Sequence, residues 1–332
     1  MPRDKMGAKK GILISLLPLG IMLFVISGYY PHLTEKLYSR LIYKFIGQCI
    51  SSITGLLPFS LAELVIAFSG VFILGYLFST LYNFIRKPHR KRILKGFAIN
   101  LLCIMAIVYF SFVILWGNNY NRLKLGEILN LDTKAPTQEE LLGLCEDLAA
   151  RANSLRADLK ENESGVMTLP YKKAEALRIA HEGFEEASSS YPILGGKYGR
   201  PKGVMLSELM CYTGITGFIF PFTGEANVNM AIPDAFLPST IAHEMAHQRG
   251  IARENEANFI AYVACTHHPD PYFQYSGTLL ALSYSLSALR KTDAPAYGKL
   301  LSTLSSGVID DLNYNSEFWK RYSGPIEEAS SK

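Results

Sequence analysis

The chain has 332 residues, 49% of them hydrophobic and 12% aromatic, which is apolar mass enough for a sizeable core, and a formal net charge of +4. Much of the positive excess sits before residue 11 and between residues 86 and 95, with no basic patch interleaved with aromatics, so no nucleic-acid partner is expected. Five scattered cysteines exclude a disulfide scaffold; Cys49, Cys145, Cys211 and Cys265 leave room for one or two bridges and fix no pairing.

Residues 11–30 carry no charge behind the basic leader Arg3, Lys5, Lys9 and Lys10. A second apolar run at 60–85 is broken only by Glu63, and a third covers 96–116. A run of about 20 apolar residues crosses the hydrocarbon core of a bilayer, so three transmembrane helices are predicted. No small-residue cleavage site follows the first, which therefore reads as an uncleaved anchor. Basic residues in short connections favour the cytoplasmic side. The leader and the R-K-P-H-R-K-R-I-L-K stretch at 86–95 are expected inside, and residues 31–59 and everything after Trp116 outside. The chain thus divides into a membrane domain at 1–116 and an extracytoplasmic domain at 117–332. In the outer connection, residues 37–57 mix Arg40 and Lys44 with apolar residues at helical spacing. Two readings fit: a helix lying on the membrane surface, or a connector packed on the domain.

Thr137 with Glu140 forms a capping box that opens a helix to about 162, and 171–189 is a second helical stretch. Glycines at 195, 196, 199 and 203 mark a loop. Residues 222–230 then alternate, with Thr223, Glu225, Asn227 and Asn229 on one side and Phe222, Ala226, Val228 and Met230 on the other. That is the pattern of a half-buried strand. Further helices are predicted at 257–266, 273–290 and 295–312, with apolar runs too short to span a bilayer. His267 and His268, just before Pro269, read as a solvated helix end.

Between the strand and these helices lies T-I-A-H-E-M-A-H-Q-R-G-I-A-R-E-N-E-A-N, from Thr240 to Asn258. His243 and His247, four residues apart, share one helical face and can point at one metal. Glu244 is offset from that face, close enough to deprotonate a water and far enough to stay off the metal. Catalytic zinc sites use three protein ligands. Gly250 can end the helix and turn the chain, and Glu254 follows as the expected third ligand, with Glu256 as the alternative. Asn258, one turn beyond Glu254, is expected to hold a histidine ring through its second nitrogen.

These residues resemble the zincin metallopeptidases of the gluzincin kind, in which a glutamate downstream of H-E-x-x-H completes the site. The stretch from Tyr212 to Cys265 is similar to an uncharacterised family of bacterial multi-pass membrane proteins with an outward zincin domain. Two departures are visible: the interval from His247 to Glu254 is short, and Asn258 stands where aspartate is commoner. The glycine spacing also resembles that of metzincins, but Arg253 occupies the position of their third histidine.

The resemblance implies a mainly α (α+β) zincin-like domain with a small sheet, carrying Zn2+ and hydrolysing a peptide or protein near the membrane surface. It also implies that the strand before the active helix rims the cleft, where Glu225 and Asn227 would touch an extended substrate. The alternative is an exposed polar face with no ligand. An oxyanion stabiliser is expected from the C-terminal helices, with Tyr314, Arg321 and Tyr322 as candidates. Two other functions stay open, a membrane-bound metal-dependent sensor and a degenerate zincin scaffold that binds a peptide or cell-wall ligand. The short cytoplasmic connection disfavours the first, and the retained Glu244 disfavours the second.

Overall fold

The computed structural model describes residues 2–325 and 327 and divides the chain into two compact units. One comprises residues 1–47, 61–123 and 221–223; the other comprises 48–60, 124–220 and 224–332. The division differs from a single cut at 116/117, because residues 48–60 cluster with the later part of the chain.

In the first unit, helices α1 (Pro2–Tyr29), α3 (Leu61–Arg86) and α4 (Arg90–Leu115) provide candidate membrane spans of 22, 26 and 26 residues. At 1.5 Å per residue these are about 33–39 Å long, enough to cross a bilayer. Their apolar side chains are largely exposed, as lipid-facing helices require. Helix α4 begins six residues earlier than its apolar run, so the basic residues from Arg90 onward form its first turns rather than a loop. Lysine and arginine are good helix formers, and the polar stretch simply continues the helix.

Thr34–Tyr43 is π-helical and runs into α2 (Lys44–Gly55), so the outer connection is helical as its spacing suggested. Beside it Glu35 is buried and accepts hydrogen bonds from Arg122 Nε at 2.8 Å and Nη2 at 2.9 Å, and from Arg40 Nε at 2.7 Å. Burial opposes ionisation of Glu35, but Arg122 and Arg40 outweigh it and hold its carboxyl below the ordinary carboxylate value of 4.5. A group with a depressed folded pKa contributes stability that is full above its unfolded value and is lost as the pH falls below it. Glu35→Gln is expected to cost about 2 kcal/mol at pH 7. Thermal unfolding in detergent should show that deficit closing as the pH is lowered below about 4.

The second unit holds helices α5 (Gln138–Arg156), α6 (Lys173–Ile179) and α7 (His181–Ser188), followed by strand β1 (Lys202–Val204) and the short helix α8 (Ser207–Cys211). Strands β2 (Gly217–Phe220) and β3 (Glu225–Asn229) precede helices α9 (Leu237–Gln248), α10 (Glu254–His267), α11 (Pro271–Thr292), α12 (Ala294–Leu301) and α13 (Ser306–Lys320). The Thr137–Glu140 capping box is formed in both directions. The helix expected at 295–312 is two, because Ser305 caps a new start by accepting from Val308 N.

The sheet order is β1-β3-β2, with β1 parallel and β2 antiparallel to β3. This corrects the expected half-buried strand: β3 lies in the middle, and all five of its residues are buried. Glu225 and Asn227 therefore do not rim a cleft. Asn227 Oδ1 accepts from Ser60 Oγ at 2.7 Å, and its amide donates to Glu225 O at 3.0 Å. Lys202 on β1 is likewise buried, with its ammonium on the carbonyls of Gly55 and Leu57. The polar side of the strand faces a buried polar network, not water. The stretch from Gln48 to Ser60 is the part of the outer connection that packs on the domain.

Helix α9 lies against β2, β3, α10 and α11. Ile241, Ala242, Met245 and Ala246 enter a core shared with Ile260, Ala261, Tyr275 and Leu279. Each large aliphatic buried there contributes roughly 1.5–3 kcal/mol relative to exposure. All of α9 is buried except Thr240 and His243, so the helix opens to solvent only along the face that carries the motif. His268 is also buried, stacked on Phe273 with ring centroids 3.9 Å apart. It is a core residue and not a solvated helix end. The five cysteines are all free, so no bridge forms.

Candidate metal centre

Gly250 adopts a φ of 81°, which only glycine takes without strain, and ends α9 as its position suggested. The turn brings Glu254, the first residue of α10, back over the helix it follows. His243 Nε2 and His247 Nε2 lie 3.0 Å apart. Glu254 Oε2 is 3.1 Å from His243 Nε2, and Oε1 is 3.4 Å from His247 Nε2. Two nitrogens and a carboxylate thus converge within 4.8 Å of one another.

His247 Nδ1 lies 2.7 Å from the carbonyl oxygen of Ile251. A carbonyl can only accept, so Nδ1 carries the proton and the Nε2 lone pair faces the convergence point, the tautomer a metal ligand needs. Burial alone would lower the pKa of His247; Glu254 and Glu244 overcome this and raise it. The adjoining imidazoles of His243 and His247 hold the carboxyl of Glu254 well below the usual carboxylate range.

Of the residues expected here, His243, His247 and Glu254 come together as a set. Glu256 does not join them: its carboxylate accepts from Leu125 N at 2.8 Å and from Arg253 Nη1 at 3.2 Å. Asn258 does not support a histidine ring either. Its amide donates to the Tyr284 hydroxyl at 3.0 Å, and the ring of His247 is held by the backbone of Ile251 instead. A carbonyl leaves no mark in a sequence, since every residue has one.

Glu244 is buried beneath the convergence point, and its Oε2 has no hydrogen-bond partner among the described residues. Burial pushes its pKa up to about 7 against the lowering pull of His243 and His247. Room for this carboxylate is made by Gly217 on β2, where a Cβ would meet Glu244 Cγ and Oε1 at 2.5 Å. Sequence reasoning missed Gly217, because nothing local distinguishes a strand glycine that clears space from any other.

Two imidazole nitrogens 3.0 Å apart and an adjoining carboxylate form a donor set that suits a zinc-class cation, and the orphaned oxygen of Glu244 lies outside that set. Gly217→Ala should crowd the Glu244 carboxylate without touching a ligand.

A cleft of about 420 Å³ opens over the site, lined by Thr216, Phe236, Thr240, Tyr284, Asn315 and Trp319 together with His243 and Glu254. Tyr314, Arg321 and Tyr322 are not among its lining residues. Arg321 lies over the ring of Phe318, and Tyr322 packs edge-on against Tyr212. Tyr284, on α11, is the phenol that reaches the cleft.

Residues 38–332 match the family described as a protein of unknown function, DUF3810, and the chain belongs to that family. Neither the curated proteins nor the solved structures contain a match.

Proposed function

We propose that the chain is a membrane-anchored zinc metallohydrolase of the H-E-x-x-H type that cleaves peptide bonds outside the cytoplasm. The observation that carries the reading is the convergence of His243, His247 and Glu254 on one point, with Glu244 Oε2, which has no hydrogen-bond partner among the described residues, beside it. The basic leader and the basic start of α4 support an orientation in which the site lies on the outer face.

His243 Nε2, His247 Nε2 and Glu254 would hold the ion. When bound, it supplies Lewis acidity that makes a water easily ionised near neutral pH and polarises a carbonyl. Glu244 accepts the proton of that water at Oε2 and delivers it to the leaving amine. The Ile251 carbonyl keeps His247 in the required tautomer. Tyr284, held by Asn258, stands at the cleft to donate a hydrogen bond to the carbonyl oxygen of the bound substrate.

Elemental analysis of the purified chain tests this reading. About one zinc per chain is expected, with His247→Ala removing it. Turnover of an unstructured peptide pool should fall to background with a chelator and return on adding zinc. A chain that neither binds zinc nor hydrolyses peptides refutes the proposal.

A further inference from the structure

The longest exposed apolar stretch of the second unit lies around α8. Met205, Leu206, Leu209 and Tyr212 are 68%, 55%, 61% and 49% exposed within eight consecutive positions, and Ile215 follows at 41%. Elsewhere among the described residues after 124, large exposed apolar side chains stand singly, as at Leu131, Leu144 and Phe259. Scattered exposure needs no explanation, whereas a contiguous patch marks a contact surface. Glu208 is the one charged residue in the stretch, and the loop before it carries exposed Lys197 and Arg200.

The bonding of this region indicates what covers the patch. Strand β1, which leads directly into Met205, is fastened at Lys202 to the carbonyls of Gly55 and Leu57, and Ser60 donates to Asn227. Ser60 immediately precedes the apolar helix that starts at Leu61. From Leu57 to Leu61 the chain reaches at most about 14 Å, and from Lys202 to Met205 about 10 Å. The patch is therefore tied by short lengths of chain to the point where the polypeptide enters the bilayer. Ile53 and Leu56, in the tying segment, are themselves 68% and 83% exposed.

We propose that the α8 region, with Met205, Leu206, Leu209 and Tyr212 as apolar anchors and Lys197 and Arg200 as headgroup contacts, docks on the surface of an anionic phospholipid bilayer. Aliphatic side chains at the acyl boundary, a tyrosine at headgroup depth and flanking cations form the composition that binds such an interface. The cleft residue Thr216 directly follows Ile215, so docking would hold the mouth of the site close to the lipid and favour substrates emerging from it. The docking itself does not depend on a metal or on turnover.

The test uses the full chain in vesicles. In a Cys49→Ser background, an environment-sensitive fluorophore is attached at Leu209→Cys and, as a control, at Leu144→Cys on α5. Vesicles contain phosphatidylcholine with or without phosphatidylglycerol, and quenching is by lipids brominated on the acyl chain. The Leu209 probe should be quenched at least about twofold more than the Leu144 probe. Lys197→Glu with Arg200→Glu should reduce that difference in the anionic vesicles and leave it unchanged in neutral ones. Equal quenching at the two positions overturns the proposal. So does a blue-shifted Leu209 probe untouched by brominated chains, which would mean that protein covers the patch.

Discussion

Glu244→Gln is expected, under the proposed function, to leave the zinc content unchanged and to slow peptide hydrolysis by about 10²–10⁴-fold, the range that general acid–base groups supply. That corresponds to roughly 3–5 kcal/mol of transition-state stabilisation. The reasoning is geometric. Glutamine has the shape of glutamate, so it fills the space that Gly217 leaves open and disturbs none of the three donors. What it lacks is the ability to take a proton at Oε2, the oxygen that no described residue satisfies. Metal analysis and turnover on the same preparation separate this outcome from loss of the site. Turnover unchanged in the variant would mean that the base is another group.

Asp311→Ala should destabilise the second unit by about 3 kcal/mol, the low end of what removing one partner of a buried ion pair costs. Asp311 is fully buried on α13 and accepts from Arg156 Nε at 2.8 Å, Tyr275 OH at 2.6 Å and Met167 N at 2.7 Å. Arg156, at the end of α5, is itself buried, and its Nη2 also donates to the carbonyl of Gly165 at 2.6 Å. Removing the carboxylate leaves a phenol and a backbone amide without their acceptor and takes from the buried guanidinium one of its two carboxylate partners, Glu161 Oε2 at 3.1 Å remaining. Thermal unfolding should show a lowered midpoint. Replacing both partners, Arg156→Met with Asp311→Leu, should recover much of the loss, because no orphaned charge then remains. A single variant as stable as the double would argue against the pair's importance.

The features legible in the sequence are those with a local signature. The three bilayer-length helices follow from the length of apolar run that lipid demands, and His243, His247 and Gly250 from helical spacing and the need for a positive φ. Glu254, and not Glu256, is the carboxylate that meets the two histidines, because Glu256 is held by Leu125 N and Arg253. The misreadings share one cause, partners remote in the chain. Alternation of polar and apolar residues in β3 looked like a face turned to water, but the partner of Asn227 is Ser60, 167 positions away. His268, next to a helix breaker, reads as solvated and is instead buried, with Nε2 3.1 Å from the carbonyl oxygen of Ile179, 89 positions away. Gly217, Ile251 and Tyr284 acquire their roles only when β2, the turn after α9 and the middle of α11 meet around Glu244 and the two histidines.

The bond between Ser60 and Asn227 carries a consequence for biogenesis. The segment that braces the sheet is synthesised long before the strands it braces exist, so it must stay available while some 140 further residues are made before Lys202 appears. Pairings of such wide separation form slowly. The maturing protein thus passes through a stage with its membrane helices in place and its sheet open. At that stage Leu56 and its neighbours are the surface a chaperone would need to shield.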